Sequence, residues 1–499
     1  MGIAVDLVDQ NPWWKKMEAI TQDKHLTDLE KSTVKWQPRI RYKFSFNKDV
    51  VYTLRGPRQV GKTTLLKSLI RDLLGKVPDP RLVFYYTCDL IDNPKELVNT
   101  VNSYLESTRP ERKQRAYLFL DEISSVRDWQ KAIKHLSDTG KLANATVILT
   151  GSHTLDIKKA YEKLPGRRGS LDDVPDKILL PMKFVEYAET INPDLRKALD
   201  KLQIIASGRR TKLLLELSKG KIPKEIKELS LFSKELELLF NNYLMTGGIP
   251  RVADEYLRTG KISEGVYRTY IDVVLGDLAR WNKKETYLRQ ILRRIFVTAG
   301  NPVSWNTLKD DTDVSSHNTV AEYVDTLKDS FVLYYVNFYD IARKLPSYQR
   351  NKKIHFYDPF FYHALRAWIG GQDPFTASID FLKNPQNVGM LAESIVGSHL
   401  IRLAFCLSQQ KQLFDYENSL FYWKSGKDRE IDFVLKLDNN SVLPIEIKYQ
   451  SSIMKSDRYG IIDFKKSSGS DSGILLSRNK MESKAGIVTL PAWLFLMLI

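Results

Sequence analysis

The stretch Gly56-Pro57-Arg58-Gln59-Val60-Gly61-Lys62-Thr63 decides how the rest of the chain is read. It spells G-x-x-x-x-G-K-[ST] and has the flanks such a loop needs. The apolar run Val50-Val51-Tyr52-Thr53-Leu54 predicts a buried strand entering the loop, and Thr64-Leu65-Leu66-Lys67-Ser68-Leu69-Ile70 predicts the helix leaving it. Gly56 and Gly61 let backbone N–H groups face an anion, and the helix N-terminus adds the positive end of its dipole. These residues suit the holding of ATP. Pro57, Arg58, Gln59 and Val60 complete the backbone cradle, Lys62 is placed to reach the β- and γ-phosphates, Thr63 offers its hydroxyl to Mg²⁺, and Thr64 closes the nucleotide-binding set.

A phosphate loop of this kind needs a second strand ending in acid. Arg115-Ala116-Tyr117-Leu118-Phe119-Leu120-Asp121-Glu122 fits, with Asp121 expected in the Mg²⁺ shell and Glu122 as the base that polarises the attacking water. A third apolar run, Ala145-Thr146-Val147-Ile148-Leu149-Thr150-Gly151-Ser152, ends in small polar residues. Either Ser152 or Thr150 can sense the γ-phosphate there, or the residues form a plain turn at a strand end.

At 499 residues the chain exceeds what one core holds, and two to four domains are expected. With 43% hydrophobic and 11% aromatic residues it is globular rather than disordered. The net charge of +16 favours a polyanionic partner such as DNA. Cys88 and Cys406, far apart and both in apolar segments, read as buried free thiols, and no CxxC or His-x-x-His cluster suggests zinc. The N-terminus lacks the apolar core of a signal peptide, and no run is expected to approach the roughly 20 apolar residues of a membrane span. A cytoplasmic protein without membrane contact is expected.

Five segments are expected. Residues 1–46 carry Trp13, Trp14 and Trp36 and should pack as a short helix on the next segment. Residues 47–184 alternate strand and helix, the pattern of a parallel P-loop sheet with helices on both faces. Residues 185–285 read as a helical lid interrupted at Met245-Thr246-Gly247-Gly248-Ile249-Pro250. Within the lid, Arg209, Arg210, Lys212, Lys219, Lys221, Lys224 and Lys227 form either a solvated face or a nucleic-acid patch. Residues 286–372 follow a winged-helix layout: a helix, a short helix from Ser304, a longer one capped by Ser316, and the strand Phe331-Val332-Leu333-Tyr334-Tyr335-Val336. Glu322, Asp325 and Asp329 make its would-be recognition helix acidic, which phosphates would repel.

The last segment, residues 373–499, holds a second constellation. An amphipathic helix over residues 388–400 carries Glu393. The runs Glu430-Ile431-Asp432-Phe433-Val434-Leu435-Lys436-Leu437 and Val442-Leu443-Pro444-Ile445-Glu446-Ile447-Lys448-Tyr449 alternate at period two around Asp438-Asn439-Asn440 and read as a hairpin. Asp432, Glu446 and Glu393 supply hard oxygen ligands for Mg²⁺, and Lys448 can steady an attacking water, as phosphodiester cleavage requires. Charged residues on a solvated strand face give the same pattern, and so does a nuclease site that has lost its activity.

Taken in this order, the pieces resemble archaeal and bacterial AAA+-like ATPases whose C-terminal half is a domain of unassigned function with a PD-(D/E)XK nuclease-like end. The resemblance rests on the phosphate loop, on Leu120-Asp121-Glu122 with Trp129 following, on Leu149-Thr150-Gly151-Ser152, on Leu180-Pro181-Met182-Lys183-Phe184-Val185-Glu186-Tyr187, on Tyr243-Leu244 through Gly247-Gly248-Ile249-Pro250, and on Asp432 with Glu446-Ile447-Lys448. It implies an ASCE-type α/β fold followed by a helical lid, a winged helix and a restriction-endonuclease-like domain. It also makes Arg167 or Arg168, after Gly166, the candidate arginine that stabilises the γ-phosphate, in cis or from a neighbouring subunit of a homo-oligomer. Two functions follow: ATP turnover coupled to DNA binding or processing, or an ATP-driven switch whose C-terminal half only binds a partner.

Overall fold

The computed structural model describes residues 2–107, 114–151, 174–204, 207–407, 416–426, 429–438 and 441–499. The chain forms two compact units, residues 1–180 and 181–499.

The first unit is built on a five-stranded sheet of β1 (Val50–Arg55), β2 (Val83–Thr87), β3 (Ala116–Asp121), β4 (Ala145–Thr150) and β5 (Asp176–Ile178), in the order β2-β3-β4-β1-β5. Every pairing is parallel. Parallel strands are covered on both faces, which is why the runs are continuously apolar rather than alternating. On one face Val51, Phe84, Leu118, Leu120, Val147 and Leu149 pack with Leu97, Val101, Trp129, Ile133 and Leu136 from the helices Pro94–Ser107 and Trp129–Asp138.

Residues 1–46 are more than a helix laid on this unit. They form helices Gly2–Gln10 and Lys24–Lys31 with 3-10 turns between, and they close the open edge of β2. Alternate residues of that strand are engaged. The indole N–H groups of Trp13 and Trp14 both donate to Val83 O at 3.0 Å. The Asn11 amide donates to Tyr85 O at 2.8 Å and accepts from Tyr85 N at 2.7 Å, and Gln10 Oε1 accepts from Thr87 N at 2.8 Å. An edge strand presents unpaired N–H and C=O groups every second residue, and these side chains satisfy them.

The second unit begins with helices and continues into a mixed sheet. Among the described residues its strands are β6 (Leu333–Asp340), β7 (Leu345–Ser347), β8 (Lys353–Phe356), β9 (Leu420–Lys424), β10 (Glu430–Lys436), β11 (Val442–Ile447), β12 (Gly473–Ser477), β13 (Glu482–Lys484) and β14 (Ile487–Pro491). They run β13-β14-β12-β11-β10-β9-β6-β7, with β8 also paired to β6. The break expected between residues 372 and 373 is therefore not a break in packing. β6 pairs in parallel with β9 through Asn337↔Phe421 and Phe338↔Tyr422, so the strand expected in the winged-helix segment belongs to the same sheet as the C-terminal hairpin.

Local signals nevertheless hold. Ser304 and Ser316 cap the helices Trp305–Lys309 and His317–Asp329, accepting from the N–H groups of Thr307 and Thr319. β10 and β11 pair antiparallel in the register Phe433↔Ile445. The turn residues 439–440 lie outside the described residues.

Three expectations are corrected. The helix expected as amphipathic over residues 388–400 is Pro385–Leu407 and is buried along most of its length, because the sheet and neighbouring helices surround it. By length and composition it is apolar enough to cross a membrane, a property missed because Glu393, Ser394 and His399 interrupt the run; 67% of its apolar window lies buried inside the unit. Cys406, at its end, is exposed, whereas Cys88 is buried as expected.

Candidate functional sites

The phosphate loop joins β1 to the helix Lys62–Leu74. Gly56 has φ +154°, and a Cβ there would lie 2.0 Å from Leu179 O, so only glycine lets the loop leave the strand at this point. Gly61 is left-handed at φ +101° and faces open space. The helix that follows has no side-chain cap hydrogen bond, and its N-terminus brings the positive end of the helix dipole to the loop. Lys62 is buried and donates from Nζ to Gly56 O at 3.0 Å and Pro57 O at 2.9 Å. Its charge is thus held against neutral carbonyl dipoles of the loop itself.

Strand register brings the acidic end to the same sheet edge. Leu54 of β1 lies beside Thr150 of β4, and Leu120 of β3 beside Leu149, so Asp121 stands at the same end of the sheet as the loop, with β4 between its strand and β1. Asp121 is buried, with Oδ1 hydrogen-bonded by the Thr150 hydroxyl and Oδ2 by the Tyr85 phenol at 3.1 Å. Thr150 therefore holds Asp121, which narrows its expected role as a phosphate sensor. Glu122 follows in left-handed backbone, φ 50° and ψ 38°, a conformation that costs a non-glycine residue on the order of 1 kcal/mol and ends the strand. Ser152, Arg167 and Arg168 lie outside the described residues.

The sequence reading missed what stands behind Asp121. Burial, and then the Asp121 carboxylate, push the Tyr85 phenol far above its ordinary pKa, so it remains a donor. Lys67 Nζ sits 3.3 Å from the centroid of the Tyr85 ring and 3.2 Å from Asp23 Oδ2. Burial lowers the pKa of this lysine, and Asp23 works against that shift. Tyr85 alternates with inward apolar residues of β2 like any strand tyrosine, so only its partner distinguishes it.

In the second unit Glu393, Asp432, Glu446 and Lys448 converge as expected. They converge inside the protein rather than on a solvated face: Asp432 and Glu446 are 6% and 4% exposed. β10 bulges against β9 between Ile431 and Val434, which re-aims Asp432 and Phe433. Gly397 lets the helix Pro385–Leu407 approach, since a Cβ there would fall 2.1 Å from the Tyr334 hydroxyl and 2.5 Å from the Phe433 ring. Asp432 Oδ2 accepts from Ile447 N at 2.8 Å, Asp432 N donates to Glu446 Oε2 at 3.3 Å, and Glu446 Oε1 pairs with Lys448 Nζ at 2.6 Å.

At the centre is a residue not anticipated. Lys353 of β8, 1% exposed, places Nζ 2.6 Å from Glu393 Oε1, 2.6 Å from Glu430 Oε1 and 2.9 Å from Asp432 Oδ1. Burial alone would lower its pKa, but Asp432, Glu393 and Glu430 outweigh burial and hold it well above normal. Burial pushes the Glu393 carboxyl up to about 8 and holds Glu446 well above the usual carboxylate range, in both cases with the Asp432 charge adding to the shift. His355 lies 3.7 Å from Glu393 and is kept neutral, its pKa lowered to about 3 by burial and by Lys353. Lys353 and His355 alternate with Ile354 and Phe356 in one short strand, a polar stripe that hinted at an interior partner.

Residues 48–188 match the model of the AAA domain. Residues 237–372 and 388–495 match two domains of unknown function, DUF8612 and DUF4143. An uncharacterized protein of Methanocaldococcus jannaschii is 23% identical over 339 residues, 66% of this chain and 60% of its own length. One of Haemophilus influenzae is 24% identical over 308 residues, 59% of this chain and 64% of its own length. The chain thus spans under two thirds of either relative. Among solved structures, the Walker-type ATPase of Pyrococcus abyssi aligns with 70% of this chain and 95% of its own at 16% identity, with a TM-score of 0.37, too low to carry an argument. Domain match, motif order and sheet topology agree on an AAA-type ATPase domain over residues 48–188.

Proposed function

We propose that the first unit binds and hydrolyses ATP with Mg²⁺, and that turnover drives a change of state read out by the second unit. The observation that carries this is the register that sets Asp121 and Glu122 at the loop's end of the sheet, with only β4 between β3 and β1. Lys62 and the uncapped helix N-terminus would take the phosphates, while Thr63 and Asp121 would hold Mg²⁺, which when bound offsets phosphate charge. Glu122 would accept the proton of the attacking water. Either Arg167 or Arg168 would stabilise the γ-phosphate, and mixing an arginine variant with Lys62→Ala tests for a subunit-shared site: regained turnover would place the arginine in trans.

For the second unit the nuclease-like and winged-helix readings stay proposals, and one observation favours the switch with an inactive partner-binding module. The acid cluster already contains a cation in Lys353. Two further features weaken direct DNA contact. Arg209 pairs with Glu225 and Lys224 with Glu228, so part of the basic run is neutralised locally. The helix His317–Asp329 keeps its acidic residues, with Glu322 2.6 Å from Lys283 Nζ. Steady-state ATP hydrolysis with and without linear duplex DNA tests the coupling. DNA stimulation of several-fold would favour processing, and unchanged turnover would favour a protein partner.

A further inference from the structure

We propose that Lys353 is the resident cation of the carboxylate cluster, occupying the position a divalent ion would need, so that the native chain holds no Mg²⁺ or Mn²⁺ there and loss of the lysine opens such a site.

An ammonium has three N–H donors and no acceptor. Lys353 donates one to Asp432 Oδ1 at 2.9 Å and lies within ion-pair distance of Glu393 Oε1 and Glu430 Oε1, both at 2.6 Å. A hard divalent cation would need those oxygens at about 2.0–2.6 Å, inside the space the nitrogen fills. Three further oxygens are engaged, Asp432 Oδ2 by Ile447 N and the two Glu446 oxygens by Lys448 Nζ and Asp432 N.

Nor can the lysine swing aside into water. Its residue is 1% exposed, and its backbone is locked in β8 opposite Val336 of β6. Four carboxyls, Glu393, Glu430, Asp432 and Glu446, face two ammoniums, and Lys353 lies within ion-pair distance of three of them while Lys448 pairs with the fourth. The choice of ion rests on the nuclease-like reading of this unit, whereas the lysine geometry stands without it.

The test is Mn²⁺ binding by the full-length, nucleotide-free chain, followed by electron paramagnetic resonance of the free ion. Wild type and Asp432→Asn should bind the same number of ions, because wild type has no site that uses Asp432. Lys353→Ala should gain one site that disappears in Lys353→Ala/Asp432→Asn. A wild-type chain that binds one more Mn²⁺ than Asp432→Asn would overturn the inference, as would a folded Lys353→Ala that gains none. Should Lys353→Ala fail to fold, the wild-type comparison still decides. DNA cleavage distinguishes the two readings. Wild-type cleavage lost in Asp432→Asn would sink both the inactive-module reading and this inference, whereas metal binding without cleavage would sink only this inference.

Discussion

Two buried lysines sit at the centres of the two candidate sites, and their partners differ in kind. Lys62 rests on the carbonyls of Gly56 and Pro57, which are neutral dipoles. Lys353 rests on Glu393, Glu430 and Asp432. A charge held by dipoles exchanges them readily for an arriving anion, because hydrogen bonds from a charged donor to a full negative charge are stronger. A charge already surrounded by carboxylates has no such vacancy. On the proposed function the first arrangement would receive a ligand, whereas the second supplies its own counter-ion. A buried lysine therefore marks a binding site only when what surrounds it can be displaced.

The largest effect should come from removing the exchangeable lysine. Lys62→Ala is expected to abolish ATP hydrolysis and to weaken nucleotide binding by well over tenfold, read by titration with a fluorescent ATP analogue. Equal affinity in variant and wild type would break the contrast at once.

Removing the other lysine should damage stability instead. Deleting one partner of a buried, hydrogen-bonded charge cluster typically costs about 3–5 kcal/mol. Lys353→Ala should lower the melting temperature of the second unit accordingly, while ATP affinity stays unchanged. Lys448, whose side chain is 38% exposed, is screened by water, so Lys448→Ala should cost under about 1 kcal/mol. Comparable losses for the two would mean that Lys353 is not the organising charge.

A smaller effect is expected from Tyr85→Phe, which leaves packing intact and removes the phenol hydrogen bond to Asp121. Hydrogen bonds to charged groups are worth about 1.5–3 kcal/mol. The variant should need roughly tenfold more Mg²⁺ for half-maximal ATP turnover, and an unaltered Mg²⁺ curve would remove Tyr85 from the positioning of Asp121.

The smallest effect is a slope. The Glu393 carboxyl is raised to about 8 in the folded chain, so its contribution to stability is complete below the ordinary carboxylate range and is lost as pH rises through about 8. Each such group changes stability by at most about 1.4 kcal/mol per pH unit. Glu393→Gln should flatten the fall in melting temperature between pH 6 and 8, and an unchanged slope would place that proton elsewhere.

The two units also differ in how much of them could be read from sequence. The phosphate loop, the acidic strand end and the capped helices at Ser304 and Ser316 are local patterns, in which spacing dictates structure. Asp432, Glu446 and Glu393 were legible as candidates because two strands and a helix carried them at recognisable periods. Their burial was not legible, since it follows from a sheet that joins β6 to β9 across more than eighty residues of sequence. Lys353 was hidden for the same reason. It reaches Asp432 from a strand that sequence alone assigned to a neighbouring domain, and Tyr85 gained its meaning only from strand pairing with β3.

Hydrolysis at the end of β3 is central to the proposed function. Steady-state ATP turnover with Mg²⁺, compared between wild type and Glu122→Gln at equal nucleotide occupancy, tests it most directly. Loss of a positioned general base should lower turnover about 10²–10⁴-fold while ATP binding persists. Hydrolysis by Glu122→Gln at the wild-type rate would contradict the assignment of the site.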